Sequence, residues 1–528
     1  MTRLSAEKTP YGKLAAHDTA NSSPLEVSEI VVGKDVLELI SSAMYVDPMT
    51  IYREYLQNAA DSIDAAKRDG FLPVDIRGRV DIYIDGETRT VRIRDNGTGI
   101  ASKDFVRRLT SIGASTKRGT QARGFRGVGR LAGLGYAQEV VFRSRTVGEQ
   151  LVSELRWDCR KLRASLRAAE DNRGIGELIR SVVTNVKIDG EGFPIRFFEV
   201  ELKGIVRLKN DRLMSANAIA DYLGQVAPVP FSPEFTFGAQ ITEALAPVVS
   251  LGELDLHIEG LDAPVYRPHR DKFVDDDKRT IVFESVEFVH VPSIDGDPAA
   301  IAWVLHHEYE GAVPGAALIK GLRLRSGNVQ VGDHALLEEL YPETRFNSWS
   351  VGEIHVIDKR VVPNGRRDHF EQNAHYLNLV NHLGPTARDI ARRCRTSSIR
   401  RKWLREFEVH RSNATDSLAI ISQGSLGPVK RRDLALSVEQ QLLQLEKIAE
   451  KDLLADDNPA ELKKTAHTLR AKLGRALKEK ESEVSPLDRL PPKRREMYEH
   501  MFELIYDCSA NRTAAKALIN RIILKLKP

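Results

Sequence analysis

Two short runs, VDIYI at 80–84 and RTVRIR at 89–94, alternate apolar and polar residues with a period of two around a turn at Asp85-Gly86. Alternation of this kind sends every second side chain to one face, so the stretch predicts an antiparallel hairpin with a single apolar face. Such a face needs a second layer to cover it. The residues just before the hairpin supply one. Asp47-Pro48 offers an N-cap and a first-turn proline for a helix over MTIYREYLQNAADSIDAAKR. Its apolar arc carries Tyr55, Leu56, Ala59, Ile63 and Ala66, while Arg53, Gln57, Asp64 and Lys67 fall on a solvated arc. Further strands are expected at EVVFRSR (139–145) and FFEVELKG (197–204). The class this predicts is α/β of the α+β kind, with helices on a mixed, mainly antiparallel sheet.

The chain of 528 residues has room for about three or four domains. Its hydrophobic fraction of 42% and charged fraction of 29% exclude an extended disordered chain. Lys and Arg number 78 against 74 Asp and Glu, so overall charge gives no reason to expect a nucleic acid or membrane partner. Cys159, Cys394 and Cys508 lie far apart without a CxxC pair, which excludes a disulfide framework and fits a cytoplasmic setting. The start lacks an apolar leader and no long apolar run follows, so neither secretion nor membrane insertion is expected. Residues 1–25 read as a flexible arm, 26–210 as a first domain, and 211–405 as a second α/β domain with strand-like runs LDLHI, TIVFESVEFVHV, GLRLRSG and GEIHVID. A linker over 406–430 and a helical region over 431–528 complete the division.

Glu54, Asn58 and Asp61 sit at spacings of four and three on the first helix, within about 60° of arc. Taken alone, that stripe is what the polar face of any amphipathic helix shows. After the hairpin comes Asp95-Asn96-Gly97-Thr98-Gly99, where Gly97 and Gly99 let backbone approach a flat ligand and the Asp95 carboxylate can accept an exocyclic N–H such as an adenine amino group. Further on, Gly124, Gly127, Val128 and Gly129 precede a helix-compatible run, RLAGLGYA, and would expose backbone N–H groups to phosphate oxygens. The sequence lacks the GK[ST] of a Walker A loop and the strand-first spacing of a Rossmann motif. Between the two glycine motifs lies a small, polar, basic stretch with the composition of a lid, in which Lys117 is the expected phosphate contact.

The order ExxxNxxD, DxGxG, lid, GxxGxG resembles the GHKL ATPase superfamily, which includes the ninety-kilodalton heat-shock chaperones, the ATPase component of DNA gyrase, MutL proteins, microrchidia ATPases and histidine kinases. REYLQNAADSIDA is most similar to the chaperone form. The resemblance implies a Bergerat-fold nucleotide site that binds and hydrolyses ATP with Mg2+. In it Asn58 coordinates magnesium, Asp95 reads adenine and Glu54 activates the attacking water, with Asp61 and the glycine motifs around the nucleotide. No phosphoacceptor helix precedes the site, which speaks against a kinase. Where the superfamily has Gly-Thr on a late strand, this chain has Phe197-Phe198.

The stretch from Tyr341 through FNSWSVGEIHVIDKRVVPNGRRDHFEQN is similar to the chaperone middle domain. That similarity puts Arg367 in the place of an arginine that reaches the γ-phosphate, while Lys320 reads as a strand-edge lysine in preference to the lysine that MutL and gyrase send to that phosphate. Residues 388–411 hold nine basic side chains against three acidic ones, with Trp403 and Phe407 interleaved. They read either as a phosphate-gripping helix for nucleic acid or as an amphipathic helix whose aromatics pack on the middle domain. The apolar stripes of Leu442, Leu445, Ile448, Leu462, Leu469 and Leu473 suit either a homodimer contact or a bundle within one chain. Protein clients, with nucleic acid as the alternative, complete the expected partners.

Overall fold

A computed structural model of the chain describes residues 47–112, 123, 129–168, 173–274, 278–455, 458–478 and 486–526. The described residues divide into two compact units. The first holds those up to Pro230 together with Ser250–Arg267 and Gly327–Val329, and the second the remainder.

The first unit opens with α1 (Thr50–Arg68). The Asp47 carboxylate accepts the Met49 N–H at 3.0 Å and its carbonyl accepts that of Thr50, so it caps the chain one turn ahead of the helix proper. The expected hairpin forms as β1 (Gly78–Asp85) and β2 (Thr90–Asp95), paired antiparallel with Val80 opposite Asp95. After α2 (Ser102–Thr110) come β3 (Glu139–Arg145), β4 (Val152–Asp158), α3 (Cys159–Arg167), α4 (Ile175–Val182), β5 (Val183–Ile188), β6 (Phe197–Lys203), α5 (Ala216–Val226) and β7 (Leu254–Ile258). They build a seven-stranded sheet in the order β5-β4-β3-β6-β2-β1-β7. Every described pairing is antiparallel except β1 with β7.

One face of this sheet is the core. Val80, Ile82, Val91, Ile93, Val140, Phe142, Val200 and Leu202 pack under Tyr52, Tyr55, Leu56, Ala59 and Ile63 of α1. The opposite face is charged. Glu199, fully buried, takes Arg94 at 2.7 Å and Arg143 at 2.8 Å, and Arg143 continues to Glu154 at 2.7 Å. Period-two alternation in β2, β3 and β6 thus sorts hydrocarbon to one side and mutually neutralising charges to the other.

Three local expectations change here. LDLHI was expected in the second domain, yet as β7 it pairs with Gly78–Ile82 of β1 and buries Leu254, Leu256 and Ile258. A parallel partner so far along the chain leaves no local signal. RLAGLGYA starts within a 3-10 stretch, Gly129–Gly135, rather than an α-helix, in keeping with the three glycines of that stretch. Arg53 and Gln57, expected in solvent, are buried, because α5 packs across α1 and Tyr222 bonds Thr50 there.

The second unit contains α6 (Phe237–Leu245), the short pair β8 (Lys272–Val274) and β9 (Thr280–Val282), and a sheet of β10 (Ser285–Pro292), β11 (Pro298–His306), β12 (Gly321–Ser326), β13 (Val329–Val331, its first residue counted with the other unit) and β14 (Val351–Val356). Its order is β10-β11-β14-β12-β13. Against its apolar face lies α7 (Ala374–Gln423), begun by the Asn373 side chain on the Tyr376 N–H and ended by Gly424 at φ 71°. Four helices follow: α8 (Pro428–Ala449), α9 (Pro459–Lys478), α10 (Pro492–Cys508) and α11 (Arg512–Lys525). The expected linker over 406–430 is thus mostly helix, because α7 runs unbroken past residue 405.

Within the second unit Leu442, Leu445, Ile448, Leu469 and Leu473 bury against one another and against Phe407 and Leu418. Those stripes close inside one chain. Trp403 and Phe407 likewise pack on the C-terminal helices, not on the middle domain as one of the two readings had it. Among the described residues, no helix is long and apolar enough to cross a membrane. The three cysteines are free, Cys159 and Cys394 buried and Cys508 exposed.

Candidate functional site

α1 brings Glu54, Asn58 and Asp61 to one edge of the sheet, where β2 ends. Glu54 is 9% exposed and Asp61 8%, burial that a solvated helix face would not show. The Glu54 carboxylate receives Arg53 Nη2 at 3.3 Å. It also lies directly against Gly129, where an added Cβ would stand 2.2 Å from Glu54 Oε2. Tyr55 secures this approach, since its hydroxyl donates to the Arg130 carbonyl and accepts the Gly133 N–H, both at 3.2 Å. Asn58, half-buried, makes no hydrogen bond with its side chain among the described residues. Asp61 accepts the backbone N–H of Arg123 at 2.8 Å. Arg123 in turn pairs with Asp64 at 2.6 Å and donates to the Gly327 carbonyl at 2.7 Å.

The loop after β2 forms the second wall. Asp95 is 4% exposed, and burial raises its carboxyl to about 7, against the lowering effects of the Gly97 N–H, the Ser62 hydroxyl and the Arg196 charge. The Gly97 N–H reaches Asp95 Oδ1 at 2.9 Å. A Cβ on Gly97 would stand 2.1 Å from Ser62 Oγ and 2.7 Å from Asp95 Oδ1. Gly99 has φ +70° and would set a Cβ 2.4 Å from the Arg145 carbonyl. Both glycines are therefore required by space, and Gly99 by backbone conformation as well. Ser144 Oγ closes the loop's far end, accepting the Ile100 N–H at 2.7 Å and donating to the Phe197 carbonyl at 3.0 Å.

The Phe197-Phe198 pair opens β6. Phe198 stands opposite Asp95 in the ladder and stacks on Phe142, with ring centroids 6.1 Å apart. Lys117, Gly124, Gly127 and Val128 lie outside the described residues. Arg367 belongs to the second unit, where it is buried at φ 56° and its carbonyl accepts the Gly332 N–H at 2.9 Å.

A buried carboxylate held by one N–H and one hydroxyl retains acceptor capacity for a ligand N–H. Asn58, one turn from Glu54 on α1, offers a hard oxygen. This donor set fits Mg2+, which takes few protein ligands and completes its shell from phosphate and water. Sequence reasoning missed Arg196 and Ser144. Neither stands in a glycine motif, and the alternation of β3 alone did not mark Ser144 as a loop anchor.

A family profile described as histidine kinase-, DNA gyrase B-, and HSP90-like ATPase matches residues 50–173, the stretch from α1 past the end of α3 that carries Glu54, Asn58, Asp95 and Gly129. This region of the chain is an ATPase-type domain of the GHKL superfamily. Chaperones are among its curated relatives. Chaperone protein HtpG of Acinetobacter baylyi is 27% identical over 139 residues, 23% of this chain and 22% of the relative. HtpG of Mycolicibacterium gilvum is 36% identical over 92 residues, 16% of this chain and 14% of the relative. HtpG of Rhodococcus jostii is 33% identical over the same length. The chain thus matches 22% or less of the length of these relatives, and the domain is a divergent, HSP90-like one.

Proposed function

We propose that the chain binds Mg-ATP at the edge of the first unit's sheet and hydrolyses it to ADP and phosphate, and that this turnover drives a clamp-like change acting on protein clients. The observation that carries the reading is Asp95: a buried carboxylate beside two glycines that tolerate no side chain, in a stretch matched by the ATPase family. Its free acceptor capacity suits an adenine amino group. Glu54 takes the proton from the water that attacks the γ-phosphorus as the bond to the ADP oxygen breaks. Asn58 would hold Mg2+, which when bound would supply charge neutralisation at the phosphates. Asp61 acts in this reading through Arg123, anchoring the chain just ahead of Gly124, Gly127, Val128 and Gly129, which with Lys117 contact phosphate. The resemblance further assigns to Arg367, in the second unit, the role of stabilising charge on the γ-phosphate.

The client role rests on the HtpG relatives, and a cytoplasmic setting agrees with three free cysteines. A homodimer would use the outer face of α8, where Val429, Leu436 and Leu443 stand exposed at intervals of seven. Sedimentation with and without a nonhydrolysable ATP analogue tests it, and monomer in both rejects it. The nucleotide reading is tested by calorimetric titration of Mg-ATP into the wild type and Asp95→Asn, with phosphate release followed on the same samples. Binding by the wild type alone is expected. A folded wild type that binds no nucleotide overturns the proposal.

A further inference from the structure

One cation at the base-binding loop takes no part in the nucleotide chemistry described above. Arg196, half-buried just ahead of β6, points its guanidinium at three backbone carbonyls from two segments. Nη1 donates to the carbonyls of Asn96 and Gly97, the latter at 2.8 Å, and Nη2 to that of Phe71 at 2.9 Å. Phe71 is itself fixed, because its N–H closes the end of α1 on the Ala66 carbonyl at 2.8 Å. On the loop's other side the Thr98 N–H meets the Ser62 carbonyl of α1 at 3.3 Å. The loop is therefore gripped between α1 and Arg196, and the Gly97 residue is held at both ends, its carbonyl by Arg196 and its N–H by Asp95.

We propose that Arg196 is a positioning residue for the nucleotide base, fixing the Asn96–Gly97 backbone so that Asp95 presents its carboxylate to an adenine amino group. The inference rests on the nucleotide reading above. Its physical basis is the guanidinium itself, since a planar fork of donors can serve three carbonyls at once and an ammonium presents no such plane. Those loop carbonyls lie outside any ladder and need a donor. Arg196 is also the charged group acting on Asp95. Around it α1 contributes the neutral Ser62 hydroxyl and the loop the Gly97 N–H. Geometry and charge can therefore be separated by two substitutions.

The experiment is calorimetric titration of Mg-ADP into the wild type, Arg196→Lys and Arg196→Gln between about pH 6 and pH 8, with ligand-free melting temperatures on each. Arg196→Lys keeps the charge and loses the fork, so its affinity should fall about tenfold with the pH midpoint of binding unchanged. Arg196→Gln loses the charge, so its midpoint should move upward and part of its affinity should return at the alkaline end. Wild-type affinity and profile in both variants overturns the inference while leaving the nucleotide reading intact. So does an equal loss in both, with unmoved midpoints and a matching loss of melting temperature, which is the mark of a structural role alone. Failure of the wild type to bind at any pH overturns the nucleotide reading and this inference with it.

Discussion

Two long helices lie on two sheets in this chain, and both were picked out from sequence for their polar residues. On α1 four of those residues are buried: Arg53, Glu54, Gln57 and Asp61 all fall below a tenth of their free exposure. On α7 the basic run stays largely in solvent and finds partners there. Arg392 and Arg393 share Asp389, Arg395 reaches Glu343, Lys402 pairs with Glu406, Arg411 pairs with Glu408, and Arg401 lies over the Trp349 ring. Burying charge is costly unless it is paired and hydrogen-bonded, whereas exposed pairs cost and contribute little. The contrast sets a buried polar stripe, on which the proposed site draws, against one that solvates a helix. It also leaves the nucleic acid alternative without support.

The sharpest break of that contrast would come from Glu54. Glu54→Ala should lower ATP turnover by about 10²–10⁴-fold while Mg-ATP still binds, as followed by phosphate release and calorimetry. Unchanged turnover would remove Glu54 from the chemistry. Asp95→Asn comes next, with a loss of about 2 kcal/mol or more in Mg-ATP binding, the scale of a hydrogen bond to a charged group. Gly97→Ala drives a Cβ onto Ser62 Oγ and Asp95 Oδ1 and should cost about 1–3 kcal/mol of stability by denaturant titration, with weaker nucleotide binding.

A pH series sharpens the picture, because the two effects of Asp95 run in opposite directions. Its folded carboxyl is raised to about 7 by burial, so the ligand-free unit gains stability below the unfolded carboxyl value of about 4 and loses it as pH rises through 7. An adenine amino group needs the ionised form, so nucleotide affinity should instead rise through the same window. Melting curves of wild type against Asp95→Asn, set beside titrations at each pH, check both signs. Parallel trends would mean that Asp95 is not the group that meets the base. The smallest effect belongs to α7. Arg392→Glu, Lys402→Glu and Arg411→Glu should each change stability by about 0.5 kcal/mol or less, leave nucleotide binding alone and reveal no duplex DNA affinity at low salt.

Much of the first unit could be read from local pattern. The hairpin, EVVFRSR as β3 and FFEVELK as β6 follow from period-two alternation, and α1 from its apolar arc. Two strands, β11 and β4, escape that alternation for different reasons. β11 is buried on both faces and so shows a continuous apolar run, while β4 places Glu154 in an ion network that reads locally as loop polarity. At the proposed site, Glu54, Asn58, Asp95, Gly97 and Gly99 could be picked out from sequence because they stand at fixed spacings on one helix or one loop. Arg196 was not, because three carbonyls from two segments have no spacing in sequence.

By itself the sequence determined which residues repeat with helical or strand period, where glycine must stand beside a carboxylate, and in what order those motifs occur. Tertiary structure alone decided that LDLHI completes the first sheet, that Gln57 and Arg53 are buried beneath α5, that the leucines of α8 and α9 close within one chain, and that Arg196 grips the loop carrying Asp95. The division has one cause. Periodicity and turn chemistry act over a few residues, whereas strand partnership, burial of polar side chains and the convergence of carbonyls on a guanidinium depend on which distant segments meet.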